Sequence, residues 1–300
     1  MKIEYLNECA IESGDTGKTL LEIALNAKIN HTHECGGQAR CSTCRVLVLE
    51  GAENLGPRTP EETELVQAKG FPDEIRLACQ ATVHGDVKIR RLVIDQDDIE
   101  TAYSERGVNR GQERKVAILF SDIRGFTNFS ERNLAYDVVH ILNRYFKKVG
   151  DTVLANNGYI DKYMGDGLMC LFGLEETDPE KICREAVTTA VEMQRQLVKL
   201  NEYLKQQFFG EEFRIGIGVH YGEVIVGEIG HPQKHQITAI GDNVNLASRI
   251  ETATKKVQAN ILVSDDVRAN LGDHFEFRRT FSAQLKGKTG SYRLHEVKCG

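Results

Sequence analysis

The chain has 300 residues, of which 41% are hydrophobic and 27% charged, a composition typical of a globular protein with room for two domains. Its apolar runs are far shorter than the roughly 20 residues that a membrane helix needs, and the N-terminal segment has no apolar stretch typical of a signal peptide. The net charge of −6 comes from the first third of the chain, because residues 1–100 hold 11 Lys and Arg against 18 Asp and Glu, whereas residues 101–300 hold 27 against 26. Because the chain has no concentrated basic face, nucleic acid is disfavoured as a partner. We expect a cytoplasmic protein without a membrane span.

Residues 1–95 alternate short strand-like runs with helix-like segments and predict a small mixed α+β domain. Strands are expected at KIEYL, RVLVLE, RLACQATV and DVKIRRLVI, and helices at TLLEIALNAK and EETELVQAK. Residues 96–113 are polar and charged, and we interpret them as a linker. Both a signalling helix and a flexible connection fit its sequence.

Residues 114–300 follow the order β-α-β-β-α-β, with later additions. KVAILFSDI predicts a buried strand, and Ser130 is a plausible N-cap of the long helix that follows it. YIDKYMGDGLMCLFG predicts two strands joined by a tight turn, residues 180–205 a second helix, FRIGIGVHYGEVIVGEIG a hairpin and DNVNLASRIETATK a third helix. This order predicts one antiparallel sheet with helices on one face.

Three cysteines lie close together in the segment HECGGQARCSTCRV. Cys35, Cys41 and Cys44 form the pattern C-x5-C-x2-C, and Cys79 follows further along the chain. A chain without an export signal uses cysteines as ligands or core residues more often than as disulfides. Three ligands on one loop with a distant fourth differ from the paired C-x2-C motifs of zinc sites and favour an iron-sulfur cluster. Zinc binding and free thiols remain alternatives.

Residues 1–95 resemble a ferredoxin that carries a 2Fe-2S cluster on a β-grasp fold. The five-residue gap between the first two cysteines is that of the adrenodoxin-like and related bacterial types. The resemblance implies that Cys35, Cys41, Cys44 and Cys79 bind the cluster. Because four cysteines satisfy the cluster, His31 and His33 are expected to be surface loop residues. The other cysteines are expected to be core or surface thiols: Cys9, Cys170, Cys183 and Cys299.

Two aspartates in the larger domain stand where acids are otherwise costly. Asp122 ends the apolar run AILF in FSDIRGFT, and Asp166 lies in the turn of KYMGDGLM. Either alone is readily explained as a capping or turn residue, but together they could hold two divalent cations for phosphoryl chemistry.

Four segments in this order, FSDIRGFT, DKYMGDGLMCLFG, RIGIGVHYGEVIVGEIG and IGDNVNLASRIE, closely resemble the catalytic domain of class III nucleotide cyclases, over residues 113–297. The resemblance implies a ferredoxin-like βαββαβ core over residues 114–300. It also implies a phosphorus-oxygen lyase reaction, in which the ribose 3′-hydroxyl of a nucleoside triphosphate attacks the α-phosphorus and releases pyrophosphate.

The same resemblance implies a metal-binding half of the site. Asp122, Asp166 and the carbonyl of Ile123 would bind two Mg²⁺ or Mn²⁺ ions, which would lower the pKa of the 3′-hydroxyl and hold the triphosphate. Lys286, in LKGKTG, would contact the β- and γ-phosphates, with Lys288 as a weaker alternative.

The resemblance to nucleotide cyclases also implies a second half of the site, which binds the ribose, the α-phosphate and the base. Asn245 would position the ribose, and Arg249, four residues later on the same helical face, would meet the charge that develops at the α-phosphate. Lys162 and Thr238 occupy the two positions that select the base. Adenine has an acceptor at N1 and a donor at N6, which suit a lysine that only donates and a threonine hydroxyl that accepts. Guanine reverses both edges, and guanylate cyclases of this family typically use Glu and Cys there, so the chain resembles an adenylate cyclase of the threonine-containing subgroup, acting on ATP.

In this family the metal aspartates face the base-binding residues across a dimer interface, so a chain with both sets should form a head-to-tail homodimer. The fusion suggests that the redox state or occupancy of the 2Fe-2S cluster regulates the cyclase, with a possible redox partner protein. The alternative is a ferredoxin-type electron-transfer protein whose cyclase-like domain is catalytically silent and serves as a nucleotide-responsive dimerisation module.

Overall fold

The structure is a computed structural model that describes residues 1–104, 111–207, 212–231, 234–284 and 290–299. The chain divides into two compact units, Met1–Arg110 with Gly230–Gln236, and Gly111–Ile229 with Ile237–Gly300. Within the described ranges, no helix combines the length and the apolar character needed to cross a membrane.

Up to Ser104 the described chain forms a sheet of five strands with the order β2-β1-β5-β3-β4, in which β1 and β5 pair in parallel and the other neighbours are antiparallel. The buried face of α1 packs on this sheet, and Thr19 begins the helix with a reciprocal capping box with Glu22. This is the expected β-grasp ferredoxin fold. Its elements are β1 (Lys2–Tyr5), β2 (Cys9–Glu12), α1 (Leu20–Asn26), β3 (Arg45–Glu50), α2 (Pro60–Lys69), β4 (Ile75–Leu77), β5 (Val87–Arg91) and α3 (Gln96–Ser104).

The strand expected at RLACQATV ends early, at Leu77. Beyond it, the backbone N–H of Ala78 donates to the carbonyl of Cys44. The N–H groups of Gln80 and Ala81 both donate to the carbonyl of Leu77. Those backbone groups therefore bond to the cysteine loop and to a turn instead of to a neighbouring strand, which leaves Cys79 facing that loop.

From residue 111 onward the described strands form a second, eight-stranded sheet with the order β12-β13-β11-β9-β6-β8-β7, and β10 pairs with β9. Its centre, β9-β6-β8-β7, is the antiparallel arrangement of a ferredoxin-like βαββαβ core. The elements are β6 (Gln112–Ile123), α4 (Phe126–Arg132), α5 (Ala135–Ala155), β7 (Tyr159–Met164), β8 (Gly167–Phe172), α6 (Pro179–Gln207), β9 (Ile215–His231), β10 (Lys234–Ile240), α7 (Asp242–Val257), β11 (Ile261–Ser264), α8 (Asp265–Asn270), β12 (Phe277–Ala283) and β13 (Tyr292–Val297).

Both faces of this sheet are covered, so the expectation of helices on one face is wrong. Ala117 and Leu119 of β6 pack with α5 and α6, whereas Val116 and Ile118 pack on the opposite face with β10 and with Ala247 of α7. Successive residues of a strand point to opposite faces, and here both faces are apolar, which is why β6 reads as one continuous apolar run. The sheet is also not wholly antiparallel, because β11 runs parallel to β9.

The hairpin expected within FRIGIGVHYGEVIVGEIG is instead the single strand β9, which forms its hairpin with β10. Its glycines make room for α7. A Cβ at Gly218 would lie 2.2 Å from the backbone nitrogen of Glu251, and one at Gly216 would lie 2.3 Å from the Thr254 hydroxyl. These glycines allow the helix to approach the strand closely, and they do not mark a turn.

The first long helix also begins later than expected. Ser130 lies inside α4, where its hydroxyl donates to the Thr127 carbonyl, and α5 begins at Ala135 after Leu134, which makes no side-chain capping bond. The second helix, α6, matches its prediction, and its buried side chains include Ile182, Ala186, Met193, Leu197, Leu200 and Leu204.

Candidate active site and cluster site

The four cysteines of the ferredoxin motif lie together as two pairs. Cys41 is close enough to Cys35 to act on its pKa, and Cys44 and Cys79 are related in the same way. The hydrogen bond from Cys44, helped by Gln80, lowers the pKa of Cys79 to about 6 against the opposing effect of burial. Among the described residues no three His, Cys, Asp or Glu side chains are grouped as a site for one metal ion.

Backbone and side-chain donors surround these sulfurs. Burial opposes ionisation of Cys35, but the hydrogen bond from Cys41 and the N–H groups of Arg40 and Gln38 lower its pKa overall. The Thr43 hydroxyl lies 3.1 Å from the sulfur of Cys41. Thiolates are the form that binds iron, and donors aimed at sulfur stabilise them, so the residues present fit a 2Fe-2S cluster with two thiolates for each iron.

His31 was expected at the surface, but its side chain is 1% exposed. Its Nε2 lies 3.2 Å from the carbonyl oxygen of Cys44, and burial lowers its pKa to about 4, so the ring is neutral and donates from Nε2. It thereby supports the backbone of Cys44, one of the proposed ligands. Two histidines stand ahead of the cysteine loop, His31 and His33, and the sequence gives no signal that His31 has this role.

The two base-selecting positions meet in the structure. The Lys162 ammonium donates to the Thr238 hydroxyl at 2.9 Å, joining β7 to β10, and a hydrogen bond from Tyr159 to the Ile237 carbonyl at 3.2 Å holds the same two strands together. Thr238 is 4% exposed, and the Lys162 side chain is 32% exposed, so the ammonium lies near the surface while the hydroxyl is buried. A strand that is not a sheet neighbour of β7 therefore supplies the second residue.

Asp122 at the end of β6 and Asp166 in the β7–β8 turn are also neighbours. Burial raises the pKa of Asp166, the charge of Asp122 raises it further, and the N–H of Ile123 donates to its carboxylate. Lys255 of α7 lies 3.2 Å from Asp122 and offsets part of this negative charge. Two half-buried carboxylates that repel each other, beside an exposed strand end, fit a site for divalent cations.

A polar cavity of about 790 Å³ is lined in part by Lys255, the partner of Asp122, and holds basic residues that the sequence motifs did not single out. Arg124, Arg214 and Lys255 contribute to its lining, and the backbone N–H of Arg124 donates to the Arg214 carbonyl at 2.7 Å. The signal available in the sequence was the position of Arg124, two residues after the first aspartate.

Asn245 and Arg249 lie on α7, where Asn245 is exposed and Arg249 has a buried guanidinium nitrogen, Nη1, without a hydrogen-bond partner. The described contacts do not join either residue to the aspartate pair or to Lys162. Lys286 and Lys288 lie outside the described residues. The other thiols divide as expected, with Cys170 and Cys183 buried, Cys299 partly buried and Cys9 exposed.

The fold and the motifs correspond to known families. Residues 108–298 match the adenylate and guanylate cyclase catalytic domain, and residues 6–84 match the 2Fe-2S iron-sulfur cluster binding domain. The chain therefore belongs to the adenylate and guanylate cyclase catalytic domain family. Within that family it carries an N-terminal ferredoxin-type domain with a binding site for a 2Fe-2S cluster.

Relatives and solved structures agree on the larger domain. The chain is 37% identical over 197 residues to an adenylate cyclase of Anabaena cylindrica and 33% identical over 188 residues to the terminal-differentiation-specific adenylate cyclase of Dictyostelium discoideum. These matches cover 64% and 61% of this chain, but only 38% and 9% of those proteins.

Two crystal structures superpose with a TM-score of 0.59 each, the adenylyl cyclase CyaB from P. aeruginosa at 30% identity and the guanylyl cyclase Cya2 at 33%. Each covers 63% of this chain, and the match includes 96% and 94% of those chains. These similarities support nucleotide cyclase activity. Because one of the two structures is an adenylyl and the other a guanylyl cyclase, the choice of base depends on this chain's own residues.

Proposed function

We propose that the protein is an adenylate cyclase that converts ATP to 3′,5′-cyclic AMP and pyrophosphate. The observation that carries the proposal is the contact between Lys162 and Thr238, which supports their common role at the base. The ammonium can only donate, which suits adenine N1, and a hydroxyl oxygen can accept from the 6-amino group. Guanine presents a donor at N1 and an acceptor at position 6, so the same pair disfavours GTP.

In the proposed reaction the ribose 3′-oxygen forms a bond to the α-phosphorus, the bond from that phosphorus to the bridging oxygen breaks, and the 3′-hydroxyl loses its proton. Divalent cations held by Asp122, Asp166 and the Ile123 carbonyl would supply Lewis acidity to the hydroxyl and the phosphates. Asn245 would position the ribose, and Arg249 would donate to the charge that develops on the α-phosphate. The cavity lined in part by Arg124, Arg214 and Lys255 would offer positive charge to the remaining phosphates.

We further propose that the catalytic unit is a head-to-tail homodimer. The Asp122 and Asp166 set of one protomer would face the Lys162, Thr238 and Arg249 set of its partner. Several large apolar side chains of the cyclase domain are exposed in the single chain and are available for such an interface: Leu134, Tyr136, Val139, Tyr163, Met164 and Ile240.

Regulation by the 2Fe-2S cluster is supported by the linker that we propose between domains 1–95 and 114–300. Its first part is the helix α3, and the exposed Tyr103 on that helix has a pKa raised by some loss of hydration and by the nearby groups Cys41, Glu34 and Cys35. The helix that leads toward the cyclase domain thus lies within electrostatic range of the cysteine loop. A change in the charge or presence of the cluster would act on this helix first.

The test is a cyclase assay on anaerobically purified, iron-loaded protein with ATP or GTP and with Mg²⁺ or Mn²⁺. We expect cyclic AMP and pyrophosphate in equal amounts from ATP, a much slower reaction with GTP, and a loss of at least about 100-fold in kcat for Asp166→Asn. An iron-loaded protein that is silent with ATP under all these conditions would contradict the proposed activity.

The regulatory proposal is tested in the same assay with oxidised, reduced and cluster-free protein, with the visible spectrum recorded in parallel. We expect the rates to differ among the three states. Equal rates would exclude the cluster as a regulator and leave the cyclase activity unaffected.

A further inference from the structure

Asp161 and Lys162 are adjacent on β7, yet both side chains reach Thr238. The Thr238 hydroxyl donates to Oδ2 of Asp161 at 3.0 Å, and it accepts from the Lys162 ammonium at 2.9 Å. The ammonium also lies 3.2 Å from the same Asp161 oxygen. The three groups form a closed triangle between β7 and β10.

A β-bulge makes this triangle possible. Ile160 is opposite Cys170 and Lys162 is opposite Met169, so Asp161 is the extra residue in the ladder between β7 and β8. Neighbouring side chains of a regular strand point to opposite faces, whereas a bulge redirects one of them. The irregularity therefore brings the carboxylate to the same hydroxyl that the lysine contacts.

The direction of the hydrogen bonds follows from the chemistry of the three groups. A threonine hydroxyl has one proton and two lone pairs, a carboxylate only accepts, and an ammonium only donates. The Thr238 proton is therefore committed to Asp161 and one lone pair to Lys162. The remaining lone pair makes Thr238 an acceptor toward any further partner, whereas an unconstrained hydroxyl rotates and can either donate or accept.

The position of the Asp161 carboxylate is unfavourable in free energy. Its side chain is fully buried, and its second oxygen, Oδ1, has no hydrogen-bond partner. A buried carboxylate oxygen without a partner is unfavourable. The hydrogen bond and ion pair of this carboxylate in the described structure go to Thr238 and Lys162, so its effect falls on the two proposed base contacts.

We propose that Asp161 is a positioning residue for base selection: it fixes Thr238 as an acceptor for the adenine 6-amino group and holds the Lys162 ammonium at N1. This inference rests on the proposed adenylate cyclase function and adds a third residue to the recognition of the base. Asp161 itself would not touch the nucleotide.

The decisive measurement compares kcat/KM for ATP with kcat/KM for purine riboside 5′-triphosphate, which keeps N1 but lacks the 6-amino group. Loss of the Lys162 contact affects both substrates, so their ratio reports the bond from the 6-amino group to Thr238. We expect Asp161→Ala to reduce the preference for ATP about tenfold, the effect of one well-placed hydrogen bond. An unchanged ratio would overturn the inference.

Two further variants identify the route of the effect. Thr238→Val should lower the same ratio on its own, and adding Asp161→Ala to it should change the ratio no further, because there is no hydroxyl left to orient. A second full decrease in the double variant would contradict action through Thr238. Asp151→Ala, which removes an exposed carboxylate on α5 that pairs with Lys147, is the control and should leave the ratio unchanged.

A rescue experiment covers the case in which Asp161→Ala does not fold. Thr238→Asp alone would place two carboxylates within hydrogen-bond distance and should lose ATP turnover, whereas Asp161→Asn combined with Thr238→Asp should recover turnover and the preference for ATP. Equal activity of the single and double variants would overturn the inference. Failure of the wild-type protein to form cyclic AMP would instead refute the proposed function.

Discussion

Glu251 on α7 is a carboxyl group that the cyclase fold keeps largely out of water, with its side chain close to β9. The residue is 6% exposed, and one carboxyl oxygen, Oε1, is buried without a hydrogen-bond partner. Burial raises its pKa to about 7, and the charge of Asp122 adds to this effect, while Lys255 and Arg124 oppose it. The group therefore changes charge near neutral pH, next to the proposed metal site.

This shift predicts a pH-dependent stability. Because the folded state binds the proton more tightly than the unfolded state, the contribution of Glu251 is fully present below pH 4.5 and is lost as the pH rises toward 7. Glu251→Gln, which stays neutral, should therefore gain stability relative to the wild type across this window, on the order of 3 kcal/mol. Thermal melts of both proteins from pH 4.5 to 8, without added divalent metal, measure the difference.

The control for that experiment is Glu202→Gln, at an exposed glutamate of α6. Its melting curve should follow that of the wild type at every pH. Parallel pH profiles for Glu251→Gln and the wild type would show that the carboxyl group is ionised throughout, contrary to the prediction.

At the scale of single residues, sequence motifs predicted which side chains would be brought together but not how they are supported. The resemblance to nucleotide cyclases predicts Lys162 and Thr238 at the two base-selecting positions, and the structure places them in contact. The sequence does not predict that Asp161 contacts Thr238, because a one-residue bulge determines the direction of its side chain. His31 was misjudged because its burial depends on packing around the cysteine loop and not on its neighbours in sequence.

Among the elements of the ferredoxin domain, α2 and β4 are joined by an ion pair that controls the approach to Cys79. Glu62 is fully buried and accepts two hydrogen bonds from the Arg76 guanidinium at 2.9 Å each, and one from the Leu77 N–H at 2.7 Å. Arg76 also donates to the Gly56 carbonyl. Because Cys79 follows Leu77 by two residues, this clamp fixes the position of a proposed cluster ligand.

We expect Glu62→Ala to destabilise the ferredoxin domain by about 3–5 kcal/mol, because it leaves a buried guanidinium without its partner. Iron content and the visible absorption of the cluster should fall together. Replacing both partners, with Glu62→Leu and Arg76→Met, should cost less than the single change, since no buried charge is left unpaired. Iron analysis and thermal melts of the purified variants measure both effects.

Asp73→Asn provides the matched control, because it alters an ion pair with Arg58 in which the carboxylate is fully exposed. Ion pairs with a fully exposed carboxylate are screened by water and contribute little to stability, so iron content should remain at the wild-type level. Full iron loading and an unchanged melting temperature in Glu62→Ala would contradict the role of the clamp.

Elements with a strong periodic pattern were predictable, and those shaped by contacts between elements were not. α6 and the β7–β8 hairpin follow directly from hydrophobic spacing and from a glycine-flanked turn. β9 was misread as a hairpin because Gly216 and Gly218 serve the close approach of α7, a tertiary cause that imitates a turn signal. The end of β4 at Leu77 likewise depends on a bond to the distant Cys44 carbonyl.

For the molecule as a whole, the main question is whether the two halves of one site come from one chain or from two protomers. One chain supplies both the aspartate pair and the base-contact pair, and the proposed head-to-tail dimer would assemble each site from two copies. A head-to-tail dimer requires each site to combine Asp122 and Asp166 of one protomer with Lys162, Thr238 and Arg249 of the other. A site formed within a single chain would need no residue from a second protomer.

Complementation of inactive variants separates these two arrangements. Asp166→Asn damages the metal half of the site, and Arg249→Ala damages the other half, so each homodimer should be inactive. In the mixed dimer one site carries both lesions and the other carries neither. At equal amounts half of the dimers are mixed, and we expect cyclic AMP formation to return to roughly a quarter of the wild-type rate after subunit exchange.

The control is a mixture of Asp166→Asn with Asp122→Ala. Both changes lie in the same half, so every site of every dimer keeps one lesion and no activity should return. Recovery in the first mixture alone requires that residues of two protomers meet in one site, and because the protomers must associate, the recovered rate should fall on dilution. If both mixtures stay inactive while exchange is verified with differently tagged protomers, each site is completed within one chain, and the head-to-tail dimer is wrong.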